Sequence, residues 1–241
     1  MAVWQERAEL LFKEEGLNNL KNSNVLIVGL GGVGSFAAEF IARAGVGKMT
    51  IVDGDTVDIT NINRQLPALH STVDQHKVDV VAARLMDINP ELELTKINEF
   101  LSPERTHEIV TPDFDYVLDC IDSVTPKVNL IIAAKRKKVK VISNMGAGGK
   151  FLSSKVQVRD IGKTDVCPLA KNIRKRLKKE GISKGVKAVF STETPDESSV
   201  KLTDGKNYKK SFYGTNSWMP ALFGLHAAET VVRYLLKKEN N

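Results

Sequence analysis

A glycine-rich segment follows a short apolar run near the amino end of the chain. It reads Gly29-Leu30-Gly31-Gly32-Val33-Gly34, and the run before it, Val25-Leu26-Ile27-Val28, has the pattern of a buried parallel strand. Glycine has no side chain, so backbone N–H groups in this segment can approach phosphates at the positive end of a following helix. Gly29, Gly31, Gly32 and Gly34 are therefore candidate nucleotide-binding residues.

Asp53 ends a second apolar run, residues 49–53, where its carboxylate can accept hydrogen bonds from ribose hydroxyls. A nicotinamide or flavin oxidoreductase would carry the same glycine segment and the same acid, so that class stays open on these features alone. The residues behind Asp53 favour a different chemistry, because Asn61, Arg64 and Lys77 add amide and cationic groups. An enzyme that releases pyrophosphate needs such cations, usually with Mg²⁺, to neutralise the leaving phosphates.

A further carboxylate follows a third apolar run. Residues 116–120 predict a strand, and Asp122 and Ser123 come directly after it. The carboxyl ends of parallel strands share one edge of a sheet, so Asp122 is expected near the nucleotide and is the candidate Mg²⁺ ligand. The alternative for Asp122 is a helix N-cap or turn acid before Pro126.

Helix-like and strand-like segments alternate along the chain and predict an α/β fold. We expect a doubly wound, mostly parallel, Rossmann-like sheet with an antiparallel extension in the C-terminal half. Helices are predicted at about 4–21, 33–44, 74–89, 103–110, 126–137, 169–180 and 218–236, and strands at 25–28, 49–53, 92–97, 116–120, 139–143, 155–159 and 187–191. We interpret 1–241 as one domain, with an ATP-binding half over 1–150 and an acceptor half over 151–241 that contains a mobile loop at about 192–213.

Composition favours a globular protein of the cytoplasm. The chain has 241 residues, a net charge of +6 and two cysteines, Cys120 and Cys167, too few for a disulfide framework or a four-thiolate zinc site. No secretory signal is apparent at the amino end. Charged residues interrupt the apolar segment from Trp218 to Leu236, which favours a packed helix over a membrane span, so no membrane association is expected.

Over about residues 5–150 the chain resembles the adenylating superfamily of ubiquitin-activating enzymes and bacterial sulfur-carrier activators. The matching pieces occur in order at 29–35, 52–55, 61–65, 77 and 119–123. The resemblance implies that Asp53 holds the ribose of ATP and that Asp122 helps to bind Mg²⁺. It implies phosphate contacts from Asn61, Arg64 and Lys77, and it places Asp55, Gln65 and Ser123 at the same site. In that superfamily an N-terminal arginine crosses a homodimer interface to the γ-phosphate, a role that Arg7 would fill unless it is a solvated helix residue.

The second half resembles the tRNA threonylcarbamoyladenosine dehydratase family within that superfamily, on the segments 146–149, 156–160, 163–164, 168–170 and 189–193. This resemblance implies ATP-dependent cyclisation of the threonylcarbamoyl group on adenosine 37 of the tRNA anticodon loop. No enzyme nucleophile is needed, because the attacking group is tethered to the activated carbonyl. Cys167 departs from the family pattern, where an acidic residue is expected before Pro168.

A basic helix in the second half fits a tRNA partner. Its candidate contacts are Lys171, Arg174, Lys175 and Lys178, although a solvated amphipathic helix would show the same pattern. Phe212, Tyr213 and Trp218 are candidates to stack on an unpaired base, with packing as the alternative. A monovalent cation and a sulfur-transfer or redox partner are left open. The nearest rival function is adenylation of the C-terminal glycine of a ubiquitin-like sulfur carrier. Cys167 is a candidate exposed thiol, with a structural role as the alternative because no activating base is apparent.

Overall fold

The computed structural model describes residues 3–202 and 211–237. The strands are β1 (Asn24–Val28), β2 (Lys48–Val52), β3 (Glu93–Ile97), β4 (Tyr116–Asp119), β5 (Lys140–Asn144), β6 (Val156–Asp160), β7 (Lys187–Ser191), β8 (Val200–Leu202) and β9 (Ser211–Tyr213). The α-helices are α1 (Glu6–Lys21), α2 (Gly34–Ala44), α3 (Lys77–Ile88), α4 (Pro103–Ile109), α5 (Val124–Arg136), α6 (Pro168–Lys179) and α7 (Trp218–Leu235).

Seven strands form one sheet in the order β3-β2-β1-β4-β5-β7-β6. All neighbouring pairs are parallel except β6 with β7, which is antiparallel. The predicted fold class is therefore confirmed. β7 is parallel to β5, so the C-terminal extension continues the parallel sheet and turns antiparallel only at its edge strand.

Strand residues alternate between two apolar layers, because successive side chains of a strand point to opposite faces. On β1, Val25 and Ile27 pack in the layer with α1, α2, α3 and α7, whereas Leu26 and Val28 pack in the layer with α5 and α6. Both faces of the sheet are thus covered, as expected for buried parallel strands. This arrangement leaves the carboxyl edge of the sheet as the place for polar chemistry.

Two predicted helices differ in detail. The helix predicted over 4–21 is interrupted at Lys13, whose backbone angles φ 62° and ψ 167° are not helical. The helix predicted from residue 74 begins at Lys77, because Asp74 has a φ of 68° and Thr56 bridges His76 in a short antiparallel contact. This contact brings Lys77 to the segment that follows β2.

The segment expected to be a mobile loop contains regular structure. β8 and β9 pair antiparallel, with Val200 opposite Tyr213 and Leu202 opposite Ser211, and residues 203–210 lie outside the described residues. This two-stranded ribbon leads directly into α7, where a packed helix was predicted. Among residues 3–202 and 211–237, none of the helices has the length and apolar character to cross a membrane.

Candidate active site

The glycine segment lies between the carboxyl ends of β1, β2 and β4. Gly29 N donates to Val52 O at 2.8 Å, and Cys120 N donates to Val28 O at 2.9 Å. Gly29 has a φ of 91°, and a Cβ there would lie 2.8 Å from Cys120 O, so a side chain is excluded by both conformation and space. The segment then enters α2 at Gly34, and its backbone is therefore positioned at a helix amino terminus.

Asp53 is fixed at the end of β2 by the neighbouring backbone. Leu30 N donates to Asp53 Oδ2 at 2.6 Å, and Asp55 N donates to Asp53 Oδ1 at 2.8 Å. Burial raises the pKa of Asp53, while the hydrogen bond from Leu30 and the charge of Lys77 oppose that shift. Asp53 thus lies between the glycine segment, which it contacts through Leu30 N, and the charge of Lys77.

Lys77 begins α3 with a side chain that is only 6% exposed. Its Nζ lies 3.0 Å from Asp55 Oδ2, and its backbone N donates to Asp55 O at 3.0 Å. Asp55 therefore positions the ammonium group beside Asp53. A lysine with so little exposure and one described ion-pair partner is suited to an additional anion.

Arg64 lies beside the glycine segment. Its Nη1 donates to Thr60 O and to Asn63 Oδ1, each at 2.9 Å. Burial lowers the pKa of Arg64, and the carboxylates of Asp122 and Asp58 act in the opposite direction. Arg64 and Asp122 are thus close enough to interact, although Arg64 lies in the connection after β2 and Asp122 in the connection after β4. A Cβ at Gly32 would lie 3.0 Å from Arg64 O.

Asn61 and Gln65 complete this side of the site. Asn61 is buried, and its carbonyl accepts from the backbone N of Arg64 and of Gln65 at 3.0 and 2.9 Å. The Gln65 amide lies 3.7 Å from the position of a Cβ at Gly31, and its buried Oε1 has no hydrogen-bond partner in the described part of the chain. A hydroxyl or amino group of a bound nucleotide would satisfy that oxygen.

Asp122 and Ser123 follow β4 at the same edge. Ser123 Oγ donates to Asp122 Oδ1 at 3.3 Å, and Asp122 is exposed. Ser123 occupies the N-cap position of α5, so Asp122 itself is not the N-cap residue. The structure therefore brings Asp53, Arg64, Lys77 and Asp122 to one edge of the sheet.

A buried ion pair beneath Asp122 was not foreseen from the sequence. Lys127 Nζ lies 2.7 Å from Asp119 Oδ2, and neither side chain has any exposed surface. Lys127 also donates to Asn144 O at 2.8 Å, and Ile121 N donates to Asp119 Oδ1 at 3.1 Å. The pair therefore ties the end of β4 to β5 and to the first turns of α5. Its only signal in the sequence is a lysine within the apolar stretch of α5.

A model of the ThiF family matches residues 5–241 of this chain. The chain is a member of the ThiF family. It is 43% identical over 238 residues to the tRNA threonylcarbamoyladenosine dehydratase of Bacillus subtilis, which covers 96% of this chain and 94% of the relative. It is also similar to the crystal structure of the Escherichia coli tRNA N6-threonylcarbamoyladenosine dehydratase in complex with ATP. That similarity has a TM-score of 0.88 and 35% identity, over 98% of this chain and 96% of the other.

A sulfur-carrier activator matches a smaller part of this ThiF-family chain. The molybdopterin-synthase adenylyltransferase of Escherichia coli is 39% identical over 132 residues, which is 55% of this chain and 53% of the relative. The predicted resemblance to the dehydratases is therefore confirmed over nearly the whole chain, whereas the likeness to this activator covers about half.

The basic helix α6 of this ThiF-family chain presents most of its predicted cations to solvent. Lys171, Lys175 and Lys178 are exposed, on the face opposite the buried Ile173 and Leu177. Arg174 differs, because it is partly buried and donates to Thr164 O at 2.9 Å, an internal contact. Arg176 Nη1 donates to Thr125 Oγ1 at 3.2 Å, so α6 lies against the first turn of α5, near Asp122.

Neither cysteine of the chain is exposed, since Cys120 is half-buried and Cys167 is buried. Cys167, for which exposure was possible from the sequence, is 3% exposed and packs in the core with α6. Cys120 packs against the opposite core, and burial raises the pKa of its thiol to about 12. Arg7 is exposed in the first turn of α1. The described residues contain no group of three or more His, Cys, Asp or Glu side chains that could hold a metal ion.

Proposed function

We propose that this chain is an ATP-dependent tRNA threonylcarbamoyladenosine dehydratase that cyclises the threonylcarbamoyl group on adenosine 37. The observation that carries this assignment is the extent of the likeness. The Bacillus subtilis dehydratase matches 96% of the chain, including the acceptor half, whereas the Escherichia coli molybdopterin-synthase adenylyltransferase matches 55%. The nucleotide half is common to both classes of enzyme, so the acceptor half decides between them.

ATP occupies the carboxyl edge of the sheet in this proposal. The backbone of the segment Gly29–Gly34 binds phosphate at the start of α2, and Asp53 accepts from the ribose hydroxyls. Arg64 and Lys77 contact the phosphates from opposite sides. Asn61 and Gln65 support the same site, and Asp55 keeps the Lys77 ammonium in place at 3.0 Å.

Mg²⁺ fits this donor set as a partner of the phosphates. Mg²⁺ is commonly held by one or two carboxylates together with substrate phosphate oxygens, and Asp122 supplies an exposed carboxylate beside Arg64. Ser123 adjoins it through the hydrogen bond to Asp122. Bound there, the metal ion would neutralise charge on the phosphates.

The reaction needs no nucleophile from the protein. An oxygen of the threonine carboxylate attacks the α-phosphorus, and the bond to pyrophosphate breaks. The carbamoyl group then attacks the activated carbonyl and loses a proton, and AMP leaves with the former carboxylate oxygen. Both cysteines are buried or protonated at neutral pH, which agrees with this route.

The tRNA backbone binds along α6 in this proposal. Lys171, Lys175 and Lys178 form an exposed basic face, and Arg174 contributes charge while it stabilises the Thr164 loop. Arg176 of the same helix contacts Thr125, three residues after Asp122, which supports a tRNA path that leads from α6 toward the nucleotide site. The active form is a homodimer in which Arg7 of one copy approaches the phosphates of the other. A monovalent-cation requirement and a sulfur-transfer or redox partner remain secondary proposals.

The test is nucleoside mass spectrometry on tRNA incubated with the protein and ATP. tRNA that carries the threonylcarbamoyl group should lose one water from that nucleoside and yield equimolar AMP and pyrophosphate. Unmodified tRNA is the matched control and should support neither change. Equal AMP formation without modified tRNA, or with a ubiquitin-like carrier protein alone, would show that the substrate assignment is wrong.

A further inference from the structure

A small opening lies on the acceptor side of the nucleotide site, between the loop after β5 and the start of α7. Its volume is about 240 Å³. Gly149, Lys150 and Phe151 line one side, and Gly214, Thr215 and Asn216 line the other. None of these residues belongs to the proposed ATP contacts, so the opening has no assigned role.

Hydrogen bonds fix the walls of this opening. Gly149 N donates to Gly214 O at 2.8 Å, and Asn216 Nδ2 donates to Lys150 O at 2.7 Å. Gly214 N donates to Ser199 O at 2.9 Å, which attaches the ribbon of β8 and β9. The opening is therefore a preformed part of the fold, as binding pockets usually are.

The opening is also connected to the phosphate-binding residues. Asn63 Nδ2 donates to Thr215 O at 2.9 Å, and Asn63 Oδ1 accepts from Arg64 Nη1 at 2.9 Å. Two consecutive hydrogen bonds therefore join a wall of the opening to Arg64. A group bound in the opening would therefore lie near Arg64, which contacts the phosphates in the proposed function.

Two exposed aromatic side chains lie at this opening: Phe151 lines it, and Trp218 is hydrogen-bonded to Phe151. Phe151 is 60% exposed and Trp218 is 49% exposed, and Trp218 Nε1 donates to Phe151 O at 3.0 Å. That bond orients the indole while much of its surface stays accessible. Tyr213 is instead turned inward, since its Cδ1 lies 2.9 Å from the position of a Cβ at Gly149. Phe212, its neighbour on β9, points to the other face of the ribbon.

We propose that Phe151 and Trp218 form a stacking platform for the unpaired adenine base of the substrate nucleoside. The threonylcarbamoyl group extends from that base through the opening toward Arg64. This inference rests on the proposed function and adds the residues that recognise the base. Proteins recognise unpaired RNA bases largely by stacking on aromatic side chains, and an indole held by its N–H is ready to do so.

Fluorescence of Trp218 gives a direct test. The chain has two tryptophans, so the variant Trp4→Phe leaves Trp218 as the only one. An anticodon stem-loop with the modified adenosine should quench this fluorescence, because a stacked base contacts the indole. The matched control is the same stem-loop with an abasic position 37, which should bind the basic surface without quenching.

Kinetics of two variants supply the second arm. Phe151→Leu and Trp218→Leu should each raise KM for modified tRNA by about 5- to 100-fold, the range expected for loss of one stacking contact. Their affinity for ATP should stay unchanged, which also reports that the fold is intact. Tyr234→Leu is the control, because Tyr234 is 41% exposed and lies about 24 Å along the same helix.

The outcomes separate this inference from the proposed function. If the wild-type chain converts modified tRNA but the abasic stem-loop quenches equally, or both variants keep a wild-type KM, the stacking platform is wrong and the function stands. If the wild-type chain does not convert modified tRNA, both are wrong. Quenching that requires the base, together with a raised KM, supports the platform.

Discussion

Lys77 is a cationic residue of the site whose side chain is almost fully buried. Its side chain is 6% exposed, and Asp55, the partner at 3.0 Å, is 48% exposed. Burial of an ammonium group is costly unless its donors are satisfied, and this side chain has three donors. A phosphate placed beside the ammonium would supply the missing acceptors, which is why Lys77 is the cation whose removal should affect catalysis most directly.

The substitution Lys77→Met should lower ATP turnover with modified tRNA by about 10²- to 10³-fold, the range seen when one positioned charge-stabilising group is lost. AMP release measured under saturating tRNA provides the rate. Lys96→Met is a suitable control, since Lys96 pairs with Asp79 at 2.6 Å and is 49% exposed. Firm NAD binding that survives Lys77→Met and Arg64→Ala would instead favour an oxidoreductase.

Asp53 should give ATP binding a distinctive pH dependence. Burial raises the pKa of this carboxyl above its ordinary value of 3.8, so it takes up a proton at a higher pH than an exposed aspartate. The ionised carboxylate offers strong acceptor sites on both oxygens, whereas protonation turns one oxygen into a donor and weakens the hydrogen bonds that the group accepts from the ribose hydroxyls. ATP affinity is therefore greatest above the raised pKa and falls as the pH drops through it. The folding stability of the ATP-free protein depends on pH in the opposite direction. A carboxyl group whose pKa is raised by folding contributes to stability at low pH, and this contribution is lost as the pH rises through the raised pKa.

The measurement is the ratio of ATP affinities for the wild-type chain and the variant Asp53→Asn between pH 7 and pH 4. Protonation of ATP affects both proteins alike and cancels in the ratio. The ratio should be largest at pH 7 and approach one on acidification. A ratio that does not change with pH would mean that the Asp53 carboxylate does not bind the nucleotide.

At the scale of elements, the connection from β4 to α5 depends on the buried pair of Lys127 and Asp119. The two groups are 2.7 Å apart without exposed surface, and Lys127 also holds the end of β5 through Asn144 O. Asp122 lies between the two members of the pair in the chain. The pair therefore determines where the proposed Mg²⁺ ligand stands.

Lys127→Met should destabilise the chain by about 3 to 5 kcal/mol, because it leaves Asp119 buried without its cation. Thermal unfolding measures this loss. The double variant Asp119→Asn with Lys127→Met removes both charges and should recover part of the stability. Activity of that double variant should remain low if the pair positions Asp122, and wild-type activity in it would show that the pair serves stability alone.

The same elements show what a sequence can and cannot predict. Strands β1, β2 and β4 were predictable because each is a short apolar run, and the glycine segment and Asp53 were placed correctly at the ends of the first two. Lys127 was missed because its burial depends on Asp119, a partner in another element that residue type does not reveal. The ribbon of β8 and β9 was missed because each strand has only three residues, too few to show the pattern of a strand within a polar segment.

At the scale of the whole molecule, the amino-terminal region carries apolar surface that one copy leaves uncovered. Val3, Leu10 and Leu11 are 89%, 73% and 75% exposed. Apolar side chains grouped in this way are typical of contact surfaces. Arg7 lies in the same region, so a dimer formed there would bring Arg7 to a second copy. The contribution of Arg7 to catalysis then depends on assembly.

A mixed dimer tests this dependence. Chains with Arg7→Ala and chains with Lys77→Met, carrying different affinity tags, are co-expressed, and the species with both tags is purified. In a two-fold dimer with Arg7 acting across the interface, one site of the mixed dimer keeps both residues, so activity should be about half that of the wild type per dimer. If Arg7 acts within its own chain, both sites lack one residue and activity stays near that of the single variants. Failure to isolate a doubly tagged species would contradict the dimer itself, because the two substitutions lie outside the exposed apolar side chains that would form it.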